Sequence, residues 1–388
     1  MILYYYTSTM TMRSILTNSN MYATNMSYMN DSEEYVNGLS ELWYIINNDE
    51  IIQKWREKRK HDPKASRLDF DKVKQICTEE VLEKYKSQCD SYSLSFCEKR
   101  DLLSQWSMYA KESGVSLKLD FSENESLKYK GFERGKATSA REYIVDTSVV
   151  VRPKPVYYFT HSADMGREEL QETAEKILDD FFLEIPDDTD IYECFEDQWK
   201  SFGTYIKRYD FYQENEHRIV FNLKDLRIAP RIDYRNDKYV LKPYLDIECE
   251  SGWPVTEVIL GPGGNQAAVF KSLRHFLDNA DVACHIINEG DYWKRVEKYM
   301  GKVSEIWEKD GLTELDEVRQ LKLKIQKQGG SMTEEYDKNE IHNMVQKTVS
   351  AILGAGSNIS ENVKNYFQTN YFSVSGIVLN ESNIPYIF

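Results

Sequence analysis

The chain has 388 residues and a mass of 45.6 kDa, with 49 Lys and Arg against 64 Asp and Glu, a formal charge of −15 and a pI near 5.1. A hydrophobic fraction of 41% beside 29% charged residues is that of a globular protein and too apolar for a disordered one. The acid excess argues against a non-specific DNA binder or a membrane-surface protein, which need a net basic footprint, and at about 150 residues per domain the length allows two or three domains, or one domain with a large insertion. Residues 2–7 read as a short strand, and Thr9 or Thr11 can cap a helix carrying Met12, Ile15 and Leu16. Residues 21–24 read as a second extended piece, leading into the polar turn at 28–34. Ser32 is the expected cap of a helix through Leu39, Leu42, Tyr44 and Ile45. The charged stretch 54–72 reads as a solvated helix and loop.

Further along, 91–97 alternates like a strand, 102–110 is helical, and G-V-S-L-K-L-D-F at 114–121 alternates cleanly. Residues 149–159 look extended, with two prolines that place them at an edge. Leu170, Ala174, Ile177, Leu178 and Phe181 recur at helical spacing over 168–182. The run E-H-R-I-V-F-N-L at 216–223 is a strong strand, as is 255–260, and 271–277 is a short helix. From about residue 280 the character shifts to helical. Trp293, Val296, Met300, Val303 and Trp307 form one apolar stripe, Leu312, Leu315 and Val318 a second helix ending at Gly329-Gly330, and Ile341, Val345, Val349 and Ile352 a third. Residues 371–388 alternate again and are expected to rejoin a sheet. The organisation expected is therefore an α+β domain over 1–279, a helical insertion over 280–358, and a returning strand segment over 359–388.

Several chemistries drop out. The chain has no H-E-x-x-H, no C-x-x-C and no G-x-S-x-G, and Gly261-Pro262-Gly263-Gly264 lacks the Lys-Ser/Thr of a phosphate-cradling loop, so it reads as a tight turn after a strand. Only Cys284-His285 are locally paired, so no zinc site is expected. The opening residues carry no basic stretch, so a signal peptide is not expected, and no run approaches the roughly 18 apolar residues of a membrane span. Cys77, Cys89, Cys97, Cys194, Cys249 and Cys284 are scattered and are expected to be reduced thiols in a cytosol.

Four separated segments then point to a family. The opening L-Y-Y-Y-T-S at 3–8 is followed by Tyr28-Met29-Asn30-Asp31-Ser32-Glu33-Glu34. Ser95-Phe96-Cys97 precedes L-L-S-Q-W-S-M-Y-A at 102–110 and the strand at 114–121. Phe211, Glu214, Glu216, His217, Arg218, Ile219 and Val220 follow, and then Ile259-Leu260-Gly261-Pro262 and S-N-I-P-Y at 382–386. In order and spacing these resemble the uncharacterised bacterial domain-of-unknown-function family 2971, over residues 1–279 and 359–388. More distantly the same segments resemble ADP-ribosyltransferases of the His-Tyr-Glu kind, which bind NAD in a cleft between two small sheets.

That resemblance implies a split β-sheet fold and NAD as co-substrate. Breaking the nicotinamide–ribose bond makes an oxocarbenium-like sugar, which a carboxylate beside the ribose stabilises. Glu216, heading its strand, matches that carboxylate, and Glu214, two residues earlier, would position the acceptor. Arg218 would pair with a carboxylate or touch a phosphate. Tyr5 stands where the family usually has His, with Thr7 on the same face, and these two would hold NAD. Phe96, Trp106 and Tyr109 are the candidate platforms for nicotinamide. The acceptor implied is a protein or a nucleic acid, the setting bacterial conflict or phage defence, and the stripe of the insertion could receive a partner chain or an inhibitor.

Each residue also has a plainer reading. Glu216 with Arg218 can be a cross-strand charge pair, Trp106 and Tyr109 core, Tyr4, Tyr5 and Tyr6 ordinary sheet residues, and Asn30-Asp31-Ser32 a turn and helix cap. The rival functions are a non-catalytic binding protein on the same fold, an NAD glycohydrolase, and a metal-dependent nuclease using Asp31, Glu33 and Glu34. The nuclease is disfavoured because those three sit at one helix start.

Overall fold

The computed structural model describes residues 1–31, 33–111, 114–121, 125–132, 145–162, 166–183, 185–186, 189–237, 239–250, 252–263 and 265–278, and after these only short pieces between 295 and 382. The expected cap Ser32, the turn residue Gly264, Cys284-His285, most of the 280–358 insertion including Trp293 and Trp307, and 383–388 lie outside the described residues. The protein is a mixed α+β structure. Its contacts divide it into two units: Met1–Asn20, Lys99–Glu123 and Glu248–Phe388 form the first, Met21–Glu98 and Asn124–Ile247 the second.

The first unit is built on five strands. Ile2–Thr7 runs antiparallel to Val115–Asp120, with Tyr5 opposite Leu117 and Thr7 opposite Val115. Val255–Leu260 pairs antiparallel with the other edge of Val115–Asp120, its register shifting between Val255 and Glu257. Val378–Glu381 then pairs parallel with Val255–Leu260 and antiparallel with Asn370–Phe372, so the tail does return to a sheet here. The helix Thr9–Asn18 starts where Ser8 accepts the Thr11 amide and stops at Ser19, which adopts left-handed geometry (φ 57°). Its Met12, Ile15 and Leu16 are buried, as their spacing predicts. Trp106 on Leu103–Tyr109 meets the Tyr6 ring edge-on at 4.8 Å. Gly261 has to be glycine, because a Cβ there would stand 2.7 Å from the Trp106 ring.

In the second unit Ser91–Cys97 pairs antiparallel with Asn20–Asn25 and with Glu216–Asn222, and the edge strand Lys154–Pro155 adds to the latter. Glu125–Phe132 and Val145–Val151 make a hairpin, as do Asp233–Asp237 and Val240–Cys249. Helices supply the other layer of the core. Glu34–Asn47, Asp49–Lys58, Arg167–Leu178 and Ile191–Gly203 bury Tyr35, Leu39, Trp55, Phe181, Phe195 and Trp199 together.

One expectation is corrected here. Residues 54–72 are helix and loop and mostly exposed, but not solvated throughout: Trp55, Ala65, Leu68 and Phe70 are buried. The stretch is broken into short helices by caps, with Asn48, Asp62 and Asp69 each accepting amides of the turn that follows, and Pro63 opening Pro63–Arg67. Among the described residues no helix is long and apolar enough to cross a membrane, and Cys77, Cys89, Cys97, Cys194 and Cys249 are not in disulfides.

Candidate functional site: a buried ionic cluster

The strongest concentration of charge away from water lies in the second unit, at the start of Glu216–Asn222. The short helical turn Tyr209–Glu214 ends at Asn215, whose left-handed backbone (φ 45°) folds the chain back so that Glu214 and Glu216 face one cation. That cation is Lys207, on the two-residue strand Ile206–Lys207, which pairs in parallel with Tyr157–Tyr158. Lys207 Nζ stands 2.8 Å from Glu214 Oε2, 2.9 Å from Glu216 Oε2 and 3.5 Å from Glu34 Oε2. The ring of Phe211 lies 5.2 Å from the same nitrogen.

Arg218, with no exposed surface, completes the group. Its Nε donates to Glu216 Oε1 at 2.7 Å and its Nη2 to Glu216 Oε2 at 2.9 Å, a bidentate pairing. Nη2 also bonds Glu34 Oε1, and Nη1 the Thr204 carbonyl. The Glu216 amide donates to the phenol oxygen of Tyr158 at 2.7 Å. All five charged side chains are buried.

Three carboxylates face two cations, so the fully ionised cluster carries one excess negative charge. Burying it is costly unless a proton is taken up or each charge is well paired. Burial pushes the Glu214 carboxyl up, against the pull of Lys207. Burial works to lower Lys207, but Glu216 and Glu214 outweigh it and hold the ammonium above its usual range. Burial pushes Arg218 down to about 9, which leaves it charged at neutral pH. The pairing with Arg218 and Lys207 fixes the Glu216 carboxylate in orientation.

The structure brings some of the sequence-predicted residues together and separates others. Glu214, Glu216 and Arg218 converge. Glu34 joins them from 184 positions away, so the segments 28–34 and 211–220 meet at Arg218. Phe96 belongs to the same unit, opposite His217 on the neighbouring strand, and is 2% exposed. Tyr5, Thr7, Trp106 and Tyr109 belong to the first unit. There Tyr5 is half-buried and Thr7 buried, both on one face of Ile2–Thr7. Trp106 packs on Tyr6, the opposite face, with its Nε1 donating to Asp101 at 2.6 Å, and is itself buried; Tyr109, three residues on, is 41% exposed. Trp106 and Tyr109 therefore do not form a shared open platform.

Lys207 escaped the sequence reading, since nothing in Y-I-K-R sets it apart until the chain reversal at Asn215 is known. Glu34 stands in the sequence as a helix-start carboxylate of the family-like segment and of the nuclease alternative, not as a partner of Arg218. It turns inward, while Asp31 accepts the Glu33 amide. Among the described residues no group of three His, Cys, Asp or Glu is placed to hold a metal ion. No family model matches the chain, and no curated protein or solved structure matches it either.

Proposed function

We propose that the chain is an NAD-dependent ADP-ribosyltransferase-like enzyme in which Glu216 stabilises the oxocarbenium-like sugar and Glu214 positions the acceptor. One observation carries this reading: two of the segments that resemble the family meet through Arg218, which pairs with Glu216 and Glu34 in a buried cluster of three carboxylates and two cations. Negative charge fixed in place before the reaction is what a growing sugar cation requires. NAD hydrolysis without an acceptor is its nearest variant.

The test is incubation of the full chain with adenylate-labelled NAD and cell extract, following both label transfer and nicotinamide release. Glu216→Gln should lower both by about a hundredfold or more, whereas Glu214→Gln should lower transfer further than release. Wild-type activity that persists in Glu216→Gln removes the assignment.

A second reading is a non-catalytic binding protein on the same fold. It is favoured by the engagement of both Glu216 carboxylate oxygens and by the burial of Phe96 and Trp106. Absence of both nicotinamide release and any NAD-induced thermal shift would select it.

A further inference from the structure

A second polar centre lies wholly within the first unit, and the functional reading above does not use it. Two adjoining hollows of about 320 and 410 Å³ share Lys118, Glu257, Lys302, Asn370 and Asn380 in their walls, a size suited to a small organic ligand. At the base, Glu257 is held by Arg100 at 2.9 Å, by Lys118 at 3.3 Å and by the side-chain amide nitrogen of Asn380. Binding through its nitrogen fixes which way the Asn380 amide is turned. Its Oδ1 is left buried without a hydrogen-bond partner, in a residue that is 7% exposed. A buried acceptor in that state costs about 1–3 kcal/mol and calls for a donor.

The rim supplies the opposite preference. Arg295, Lys298, Tyr299 and Lys302 recur at helical spacing and all border the first hollow. Arg295 is oriented by its bond to the Val255 carbonyl at 2.7 Å. Lys298 and Lys302 are exposed and form no ion pair among the described residues. Among the described residues five cationic side chains border the two hollows against the three carboxylates Asp120, Glu257 and Glu381, and Glu257 is already neutralised by its partners. Local positive charge on a chain of net charge −15 selects anions. Tyr299 and Tyr366, with ring centroids 6.5 Å apart, add an aromatic wall.

We propose that this hollow binds a phosphorylated sugar, free or as part of a nucleotide. Lys298, Lys302 and Arg295 take the phosphate, a sugar hydroxyl donates to Asn380 Oδ1, and the tyrosines cover the apolar side of the ring. The site uses no residue of the Glu216 cluster, so it stands or falls separately from the transferase reading.

Isothermal titration of the full chain with ribose 5-phosphate, ADP, ribose and inorganic phosphate tests it. Ribose 5-phosphate or ADP should bind at least tenfold more tightly than ribose or phosphate alone, and the two differ in whether a base adds affinity. The double variant Lys298→Glu/Lys302→Glu, altered only at exposed positions, should weaken that binding at least tenfold, while Glu216→Gln should not change it. The proposal is overturned if no phosphorylated sugar binds, if phosphate alone binds as tightly, or if the double variant binds as the wild type does.

Discussion

Lys207 is the residue on which the ionic cluster turns, because it is the common partner of Glu34, Glu214 and Glu216. Its ammonium could be removed without removing volume by Lys207→Met. Glu214 would then lose its cation while Glu34 and Glu216 share Arg218 alone, and breaking a buried pair from one side costs about 3–5 kcal/mol. Urea unfolding of the full chain should show a loss of that size, and Glu214→Gln in the same background should restore part of it, since one of the stranded charges is gone. A loss under about 1 kcal/mol would mean that water reaches the cluster. Half of this centre was legible beforehand. A glutamate and an arginine inside an apolar strand, E-H-R-I-V-F-N-L, announce charges that must find partners. Lys207 and the inward turn of Glu34 were not legible, because the one depends on the left-handed reversal at Asn215 and the other on a contact across 184 residues.

At the level of whole elements, the second unit depends on how closely Glu34–Asn47 approaches the end of Ile191–Gly203. Gly38 sits where a Cβ would run into the Gly203 carbonyl and come within 2.8 Å of the Ile206 carbonyl, and Trp199 Nε1 donates to the Leu39 carbonyl at 3.3 Å beside it. Gly38→Ala should therefore force the helices apart and cost about 1–3 kcal/mol or more. Gly166→Ala, at a position with open space around it, should change stability by about 1 kcal/mol at most. Equal effects at the two positions in thermal melts would show that the close approach does not matter. The same contact explains why some elements could be read and others not. The helix at 9–18 and the strands at 115–120 and 216–222 carry their own periodicity. The helices between 49 and 86 do not: their apolar residues are sparse among charges, and only tertiary packing around Trp55 and Phe70 reveals which face is inside. In the hairpin of Glu125–Phe132 with Val145–Val151, the second strand is legible in part, within the extended stretch 149–159, whereas the first offers only Leu127 and Tyr129 as an alternating apolar pair.

Across the whole molecule, acid acts on three buried groups in different directions. Burial alone would raise Glu257, but Arg100, Asn380 and Lys118 outweigh it and hold the carboxyl below its usual range. Its stabilisation is complete above the unfolded value of about 4.3 and is lost as pH falls through the lower folded value. Burial holds the His217 imidazole below its usual range despite the attraction of Glu98. Its contribution is likewise complete above about 6.5 and is lost as pH falls through the folded value. Glu214 is raised by burial, so its contribution is complete below about 4.3 and is lost as pH rises through the folded value. As pH falls, then, His217 loses stability and Glu214 gains it, so the two act in opposite directions within the second unit. Below about pH 4.3 Glu214 is protonated in both states, and Glu257 in the first unit sets an acid limb as pH falls through its folded value. Exposed carboxylates oppose that limb weakly, since neutralising them relieves the self-repulsion of a chain at −15. The thermal midpoint should fall below pH 4. Glu214→Gln should make it fall more steeply between neutral pH and about 4.3, because the loss at His217 is no longer opposed. Glu257→Gln should lower the midpoint at pH 7 and flatten the fall below pH 4. An acid limb as steep in Glu257→Gln as in the wild type would place the acid-sensitive charge elsewhere among the 64 acidic residues.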